Sequence, residues 1–494
     1  MTALPRWLLA LGGGAVWGLC FGQQAWILAP WIALLPLLLL LGQRRAAALG
    51  WAHGMAFWLV SIPWIIPTLE NYGQLPGWLA VLSLLALVCY LALFTALFAG
   101  VGGILWRFGG AVALLGLPAL WVVVEWFRGY LFTGFPWNLA GYAWIDMPGA
   151  LQLAAWVGAY GVGALLVLAN TALALSFAER RWRLGGATLG VVLLILAIAA
   201  RWGVPDPGDR EVEGTITVRL LQPNIGILEE WDTVTVEAQY QHMFELSRQA
   251  CDRSGVLLIW PESATWPYSY SRDERLRRDL EDLVAAGCPV LINTSMAGEG
   301  GVFNSVLMID KKGILGRYDK RHLVPFGEYV PMADWLPFLQ KIARNAGDFL
   351  AGESFELLNW KGQALAPAIC FEITFPEEVS SRVRAGGSIL VTLTNDAWYG
   401  DSSAPWQHFR AARFRAAENQ RFLLRAAMTG VSAVVGPDGS VEQFLGIDAE
   451  GILEAHVPGL SGLSPYSRAP RAVPAASLAM LVFAIFLGRR GSRK

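Results

Sequence analysis

Charged residues are scarce in this chain of 494 residues. Only 16% of the positions are Asp, Glu, Lys or Arg, 55% are hydrophobic, and the formal net charge is −1. That balance excludes an ordinary soluble globular protein. The net charge also gives no indication of nucleic-acid binding, which typically needs a strongly basic surface.

Several motifs of common enzyme classes are also missing. The five cysteines form no CxxC pair, and the five histidines show no HExxH or other ligand spacing. We therefore predict neither a metal site nor a cofactor. No GxSxG motif supports a Ser–His–Asp triad.

Long apolar runs fill the first 200 residues and the last 25. A helix crosses the hydrocarbon core with about 20 apolar residues. About eight spans are therefore predicted, of which the first two are short and could form a tilted or broken hairpin. They lie near 7–22, 24–41, 52–69, 78–105, 110–127, 150–177, 184–201 and 472–488.

The basic residues predict the orientation of these spans. If eight spans are counted, clusters such as Arg44–Arg45, Arg180–Arg183 and Arg489–Lys494 fall on one side, with Arg128 the main exception. By the positive-inside rule both termini are cytoplasmic. The segment from about 205 to 468 is then predicted to be exported, which in a bacterium means the periplasm. The predicted domains are a seven-span bundle (1–204), an exported domain (205–468) and a final span with a cytoplasmic tail (469–494).

The exported segment alternates between strand and helix patterns. Valine-, isoleucine- and leucine-rich runs, such as 215–222 and 388–394, are separated by stretches with helical spacing, such as 232–251. Apolar strands covered by helices indicate a layered α/β or α+β domain. One disulfide could form among its three cysteines, which would leave one free thiol.

Three residues of this segment are candidates for catalysis by a cysteine nucleophile. Cys370 follows an apolar strand and precedes a predicted helix, whose N-terminus would favour a thiolate. Glu262 also ends a buried strand, where a carboxylate needs a partner. Lys320 is one of only six lysines beside 32 arginines. The structural alternatives are a buried core cysteine, a helix cap and a solvated surface lysine.

Further residues surround these candidates. Glu328 lies eight positions after Lys320, where it either orients that lysine or forms a loop salt bridge. Glu372 follows Cys370 by two positions. The aromatic loops 326–338 and 395–409, the second containing Trp398, either pack in the core or act as lids at the membrane interface.

The motifs WPESA (260–264), YDKRHLVPFGEYVP (318–331), CFE (370–372) and NDAWYGDSSAPWQH (395–408) occur in this order. Together they resemble the bacterial apolipoprotein N-acyltransferases, which are nitrilase-like enzymes of the inner membrane. The resemblance covers essentially the whole chain. It implies a polytopic helical membrane domain joined to a nitrilase-like αββα sandwich.

The resemblance also implies roles for individual residues. Glu262, Lys320 and Cys370 correspond to a Glu–Lys–Cys triad, with Glu328 and Glu372 as supporting carboxylates. Substrate-binding roles are implied for four aromatic residues of the corresponding motifs: Trp231, Phe371, Trp398 and Trp137. Two local departures are Pro223, where glycine is commoner, and Phe371, where tyrosine often stands.

The resemblance implies lipoprotein maturation by a two-step acyl transfer. Cys370 takes the sn-1 acyl chain of a phospholipid donor, expected to be phosphatidylethanolamine. The N-terminal amine of an S-diacylglyceryl-cysteine apolipoprotein then receives it, with ping-pong kinetics. Two alternatives remain: a membrane-anchored nitrilase-like amidase, and a transporter with an exported sensor domain, against which the sparse charges in the spans argue.

Overall fold

The structure is a computed structural model that describes residues 3–23, 26–71, 73–203, 211–226, 232–331 and 349–491. Its internal contacts divide the chain into two units. The first comprises 1–66, 78–205 and 464–494, and the second comprises 67–77 and 206–463. The domain boundaries at 204 and 468 stay predictions.

The first unit is helical, as its apolar sequence predicts. Five of the described helices are long and apolar enough to cross a membrane, or six if a pair bent by 54° counts as one broken span. The five are Gly77–Arg107, Gly110–Arg128, Ala150–Glu179, Trp182–Trp202 and Ala472–Gly491, and the bent pair is Ala46–Ser61 with Ile65–Asn71. These helices are typical of a membrane protein.

The predicted count of eight spans is wrong for the first two. The first apolar stretch forms a helix of 17 residues, Ala3–Leu19. The second is divided between a 3₁₀ turn, Ala29–Trp31, and a short helix, Leu35–Leu39. Pro30 and Pro36 lie in the first turns of these pieces. Because proline has no backbone N–H, it favours short pieces over one continuous helix.

One long helix of this unit is interrupted at a glycine. Within Ala150–Glu179, Gly158 adopts φ 64° and ψ −178°. A β-carbon at this position would lie 2.4 Å from the Tyr466 ring. Both the positive φ and the contact therefore require glycine. Tyr466 belongs to the short helix Pro465–Arg468.

The second unit contains two β-sheets. Their strands, in chain order, are β1 Glu211–Gln222, β2 Leu257–Ile259, β3 Val290–Gly298, β4 Gly301–Asp310, β5 Gly313–Asp319, β6 Phe349–Leu350, β7 Leu358–Trp360, β8 Gln363–Ile369, β9 Ile389–Thr394, β10 Leu423–Ala427, β11 Ser432–Val435, β12 Val441–Leu445 and β13 Gly451–Leu460. One sheet has the order β13-β1-β2-β3-β4-β5, with β6 beside β4, and the other has the order β12-β11-β10-β9-β8-β7. The inner strands β1–β3 and β8–β10 pair in parallel.

Helices cover the outer face of each sheet. Thr233–Gln249 and Glu274–Ala285 share an apolar core with the first sheet. Pro376–Arg384 and Ala404–Asn419 share one with the second. A third core, which includes Val218 and Val391, joins the two sheets face to face. The αββα layering predicted from the resemblance is therefore confirmed.

The disulfide joins Cys251 to Cys288, with their α-carbons 5.8 Å apart. It links the end of the helix Thr233–Gln249 to the segment before β3. Cys370 is a free thiol. One pair and one free cysteine in this segment agree with the possibility derived from the sequence.

Candidate active site

Glu262, Lys320 and Cys370 each follow the end of a strand. Glu262 lies three residues after β2, Lys320 directly follows β5, and Cys370 directly follows β8. In α/β folds, sites form beyond the carboxyl ends of the parallel strands. β2 and β8 are such strands.

Lys320 lies between two carboxylates. Its Nζ is 2.9 Å from Glu328 Oε1 and 3.7 Å from Glu262 Oε1, and its side chain is 1% exposed. Burial lowers the pKa of this ammonium, but the Glu328 and Glu262 carboxylates outweigh burial and raise the pKa above its ordinary value. Lys320 is therefore a charged donor at neutral pH. The surface-lysine alternative is excluded by its burial.

Both carboxylate oxygens of Glu262 have partners. Oε1 accepts from Asn304 Nδ2 at 3.1 Å, and Oε2 accepts from the Asn395 backbone N–H at 3.0 Å. Burial raises the pKa of Glu262, and the Lys320 ammonium opposes that rise. A buried carboxylate with a raised pKa is suited to exchange protons near neutral pH.

Asn304 was not singled out from the sequence. Its amide nitrogen donates both to Glu262 and, at 2.8 Å, to Glu328 Oε1. Its Oδ1 accepts from Asn293 Nδ2 at 2.6 Å. One neutral side chain thus donates to both carboxylates and holds them close to each other. An asparagine inside strand β4 gives no motif, and the only available signal is a polar residue in an apolar run.

Cys370 is a buried thiol in an unusual backbone conformation. It is 6% exposed, and its φ is 48°, which non-glycine residues rarely adopt. Burial raises the pKa of the thiol, the Glu262 carboxylate raises it further, and Lys320 only partly offsets this. The thiolate expected from a following helix is therefore wrong. Cys370 begins a 3₁₀ turn of five residues, and the thiol needs a base to lose its proton.

Glu372 connects the nucleophile segment to the lysine segment. Its carboxylate accepts hydrogen bonds from Tyr318 Oη (2.7 Å) and from the backbone N–H groups of Ile369 (2.8 Å), Arg321 (2.9 Å) and His322 (3.3 Å), and pairs with Arg382 at 3.1 Å. Burial alone would raise its pKa, but Arg382 and the hydrogen bonds lower it. Glu372 is an ionised structural anchor for the residues beside Lys320 and Cys370.

The predicted substrate-binding residues belong to different units of the chain, and their roles stay predictions. Phe371 is buried and packs edge-on against Phe375. Trp398 is 41% exposed. Trp137 is buried inside the helical unit, where it packs against Phe135. Trp231 and the second half of the loop 326–338 lie outside the described residues.

A second buried cluster of charged residues adjoins Cys370 and also gave no sequence motif. It consists of Asp396, His408 and Arg425, and His408 Nε2 is 3.0 Å from the Cys370 carbonyl oxygen. The sequence around His408 shows no metal-ligand spacing and no motif of a Ser–His–Asp triad. In the described part of the chain, no group of three or more His, Cys, Asp or Glu residues is arranged to hold a metal ion.

Comparisons with known proteins match both parts of the chain. Residues 13–172 match the apolipoprotein N-acyltransferase N-terminal domain, and residues 217–463 match the carbon-nitrogen hydrolase domain. An amidase from Nesterenkonia sp. of known structure is 20% identical, with a TM-score of 0.40, and the match covers 54% of this chain and 98% of the amidase.

Two relatives match most of the chain. The apolipoprotein N-acyltransferase of Geobacter metallireducens is 37% identical over 493 residues, covering 94% of this chain and 92% of that protein. The enzyme of the same name from Brucella suis is 34% identical over 427 residues, covering 84% and 80%. With both domains matched and this identity along nearly its whole length, the chain belongs to the apolipoprotein N-acyltransferase family.

Proposed function

We propose that this protein transfers a fatty acyl chain from a phospholipid to the N-terminal amine of diacylglyceryl-cysteine apolipoproteins. Membership of the family supports lipoprotein N-acylation in general terms. The observation that carries the finer proposal is the buried ammonium of Lys320 between the Glu262 and Glu328 carboxylates. The charges of Glu262 and Lys320 also act on the Cys370 thiol. A nucleophile, a base that can accept its proton and a cation that can stabilise an oxyanion are together suited to acyl transfer.

In the first step, Glu262 accepts the thiol proton while Cys370 Sγ attacks the sn-1 ester carbonyl of the phospholipid. The raised pKa of the thiol requires that proton transfer accompany attack. The carbonyl oxygen becomes an oxyanion, stabilised by Lys320 and the Phe371 backbone N–H. The C–O bond then breaks, the lysophospholipid oxygen takes the proton from Glu262, and a thioester remains on Cys370.

In the second step, the amine of the acceptor attacks the thioester. Glu262 accepts the amine proton, the C–N bond forms, and the C–S bond breaks. The departing thiolate regains the proton from Glu262, which restores the starting state. Donor and acceptor therefore use the same base in turn, and ping-pong kinetics follow.

The helical unit supports a location in the bacterial inner membrane, with the second unit in the periplasm. The charge pattern of the loops favours this orientation. The Cys251–Cys288 disulfide is also typical of an oxidising compartment. Phosphatidylethanolamine, as donor, would be available at this surface.

The alternative function is that of a membrane-anchored amidase, since a carbon-nitrogen hydrolase domain fits an amidase as well as an acyltransferase. An amidase also forms a cysteine thioester, but it passes the acyl group to water. The two functions therefore differ only in the acceptor. Eight predicted spans argued against simple anchoring, and the five or six spans of the structure still exceed the one that anchoring needs.

The test is the intact mass of the purified protein after incubation with phosphatidylethanolamine. We expect a fatty-acyl adduct that a diacylglyceryl-cysteine peptide discharges to N-acylated peptide. Cys370→Ala should form no adduct, while the matched control Cys89→Ala, which removes a free thiol of the helical unit, should react normally. No adduct on folded wild type, or an adduct retained by Cys370→Ala, would refute the mechanism. Discharge to free fatty acid alone would favour the amidase.

A further inference from the structure

The Asp396–His408–Arg425 cluster is fully buried behind the nucleophile. Asp396 Oδ2 is 2.6 Å from Arg425 Nη2, and Asp396 Oδ1 is 3.1 Å from His408 Nδ1. Thr394 Oγ1 also donates to Asp396 Oδ1 at 2.9 Å. Neither step of the proposed reaction uses these residues. Burying two charges and an imidazole costs free energy of folding, which favours a role for the cluster beyond packing.

The hydrogen bonds determine which nitrogen of His408 carries a proton. Nε2 lies 3.0 Å from the Cys370 carbonyl oxygen, which can only accept, so Nε2 must be the donor. Nδ1 faces Asp396 Oδ1 and, at 3.2 Å, Arg425 Nη2. It accepts from Arg425 when the ring is neutral and donates to Asp396 when the ring is charged. The bond from Nε2 to Cys370 is therefore kept in both states.

The acceptor of this bond belongs to the same peptide unit as the proposed oxyanion donor. The Cys370 carbonyl and the Phe371 N–H form one planar group, so fixing the oxygen also fixes the direction of the N–H. A hydrogen bond to the carbonyl further polarises the peptide, which strengthens its N–H as a donor. The left-handed φ of Cys370, 48°, is a strained conformation that needs such support.

We propose that His408 is a positioning residue of the oxyanion site. Held by Asp396 and Arg425, it binds the Cys370 carbonyl and thereby aims the Phe371 N–H at the oxygen that becomes negative during acyl transfer. This inference rests on the proposed function, because it assumes that Cys370 forms a thioester. It adds a residue that touches no substrate and acts only through the 370–371 peptide.

Two reactions of the same thiol separate this role from general support of the fold. Acylation by phosphatidylethanolamine passes through an oxyanion, whereas alkylation by iodoacetamide displaces iodide at a saturated carbon and forms none. Loss of an oxyanion donor typically slows acyl transfer about 100- to 1,000-fold. A donor that is retained but misdirected should cost less, about 10- to 100-fold. Alkylation should change less than about threefold, because it does not use this donor.

The experiment compares His408→Phe, which fills the space without a donor, with His408→Gln, whose amide can donate again. Both rates are measured by intact mass on the full-length protein, with Val284→Ala as a control that weakens the core beside the helix Glu274–Ala285. We expect slow acylation with near-normal alkylation for His408→Phe, partial recovery for His408→Gln, and normal rates for Val284→Ala. If His408→Phe does not fold, His408→Met replaces it.

Three results would overturn the inference: unchanged acylation in the donor-free variant, an equal loss of acylation and alkylation, or equal acylation rates in the donor-free and glutamine variants. Failure of wild type to form any acyl adduct would instead refute the proposed function. The two failures are therefore distinguishable in one set of measurements.

Discussion

Asn304→Leu tests whether the amide that bridges the two carboxylates sets the pKa of Glu262, the proposed catalytic base. Asn304 Nδ2 donates to Glu262 Oε1 at 3.1 Å, and this bond lowers the pKa of Glu262. A hydrogen bond to a charged group contributes about 1.5–3 kcal/mol, and one pKa unit corresponds to about 1.36 kcal/mol. Losing even a weak bond of this kind should raise the pKa of Glu262 by about one unit.

The sign of the effect on rate follows from the role of Glu262. The base must be ionised to accept the thiol proton, so a higher pKa moves the acidic limb of the rate profile to higher pH. We expect the acidic limb of the rate of acyl-enzyme formation to lie about one pH unit higher in Asn304→Leu than in wild type. Asn304→Asp, which adds a third carboxylate, should move the limb further in the same direction.

The assay is the initial rate of thioester formation, measured by rapid quench and intact mass between about pH 5 and pH 9, a range that brackets a raised carboxyl pKa. Thr392→Val is the control, because it also removes a buried polar group of the second unit, but one whose hydroxyl has no hydrogen-bond partner among the described residues. A lower rate at every pH with no movement of the acidic limb would show that Asn304 does not set the ionisation of Glu262.

Three further predictions concern stability. Replacing Cys251 and Cys288 by alanine removes a crosslink between positions separated by 37 residues. The free energy of unfolding should fall by about 3–4 kcal/mol. A reductant should lower the melting temperature of wild type but not of this variant. Thr392→Val should raise the free energy of unfolding by about 1 kcal/mol, because the Thr392 hydroxyl is buried without a hydrogen-bond partner among the described residues. A lower denaturation midpoint in the variant than in wild type would contradict this prediction. Burial opposes ionisation of Asp396, but Arg425 and His408 lower its pKa to about 2. The ionised carboxylate should therefore stabilise the folded state above about pH 4, and this stabilisation, about 2 kcal/mol, should be lost as the pH falls towards 2. The free energy of unfolding of Asp396→Asn should not show this loss between about pH 4 and pH 2.

The sequence predicted the site residues that end strands better than those inside elements. Glu262, Lys320 and Cys370 were found because a polar residue after an apolar run interrupts a recognisable pattern. Asn304 lies within β4, and His408 lies within the helix Ala404–Asn419. Their roles depend on partners at other chain positions, and spacing along one sequence does not encode those contacts.

The span count shows a similar limit. Hydropathy measures how apolar a stretch is, and Ala29–Leu39 is apolar. It does not measure continuity of the helix, which Pro30 and Pro36 disfavour. The pattern of apolar strands and amphipathic helices predicted only a layered α/β or α+β domain, and the αββα order of the layers was implied by the resemblance. The thiolate prediction was wrong because burial and the Glu262 carboxylate, which no local pattern reveals, raise the pKa of the Cys370 thiol.

The anchor formed by Glu372 has a consequence for how freely this region can vary in sequence. Three of its donors are backbone N–H groups, at Ile369, Arg321 and His322. Any residue other than proline supplies the same donor, so side chains at these positions can change without loosening the anchor. Glu372 has no such freedom, because a glutamine amide would turn an N–H towards other donors. Mutational tolerance around Cys370 should therefore be uneven: broad at the three positions that donate through the backbone and nearly absent at Glu372, the acceptor that they share.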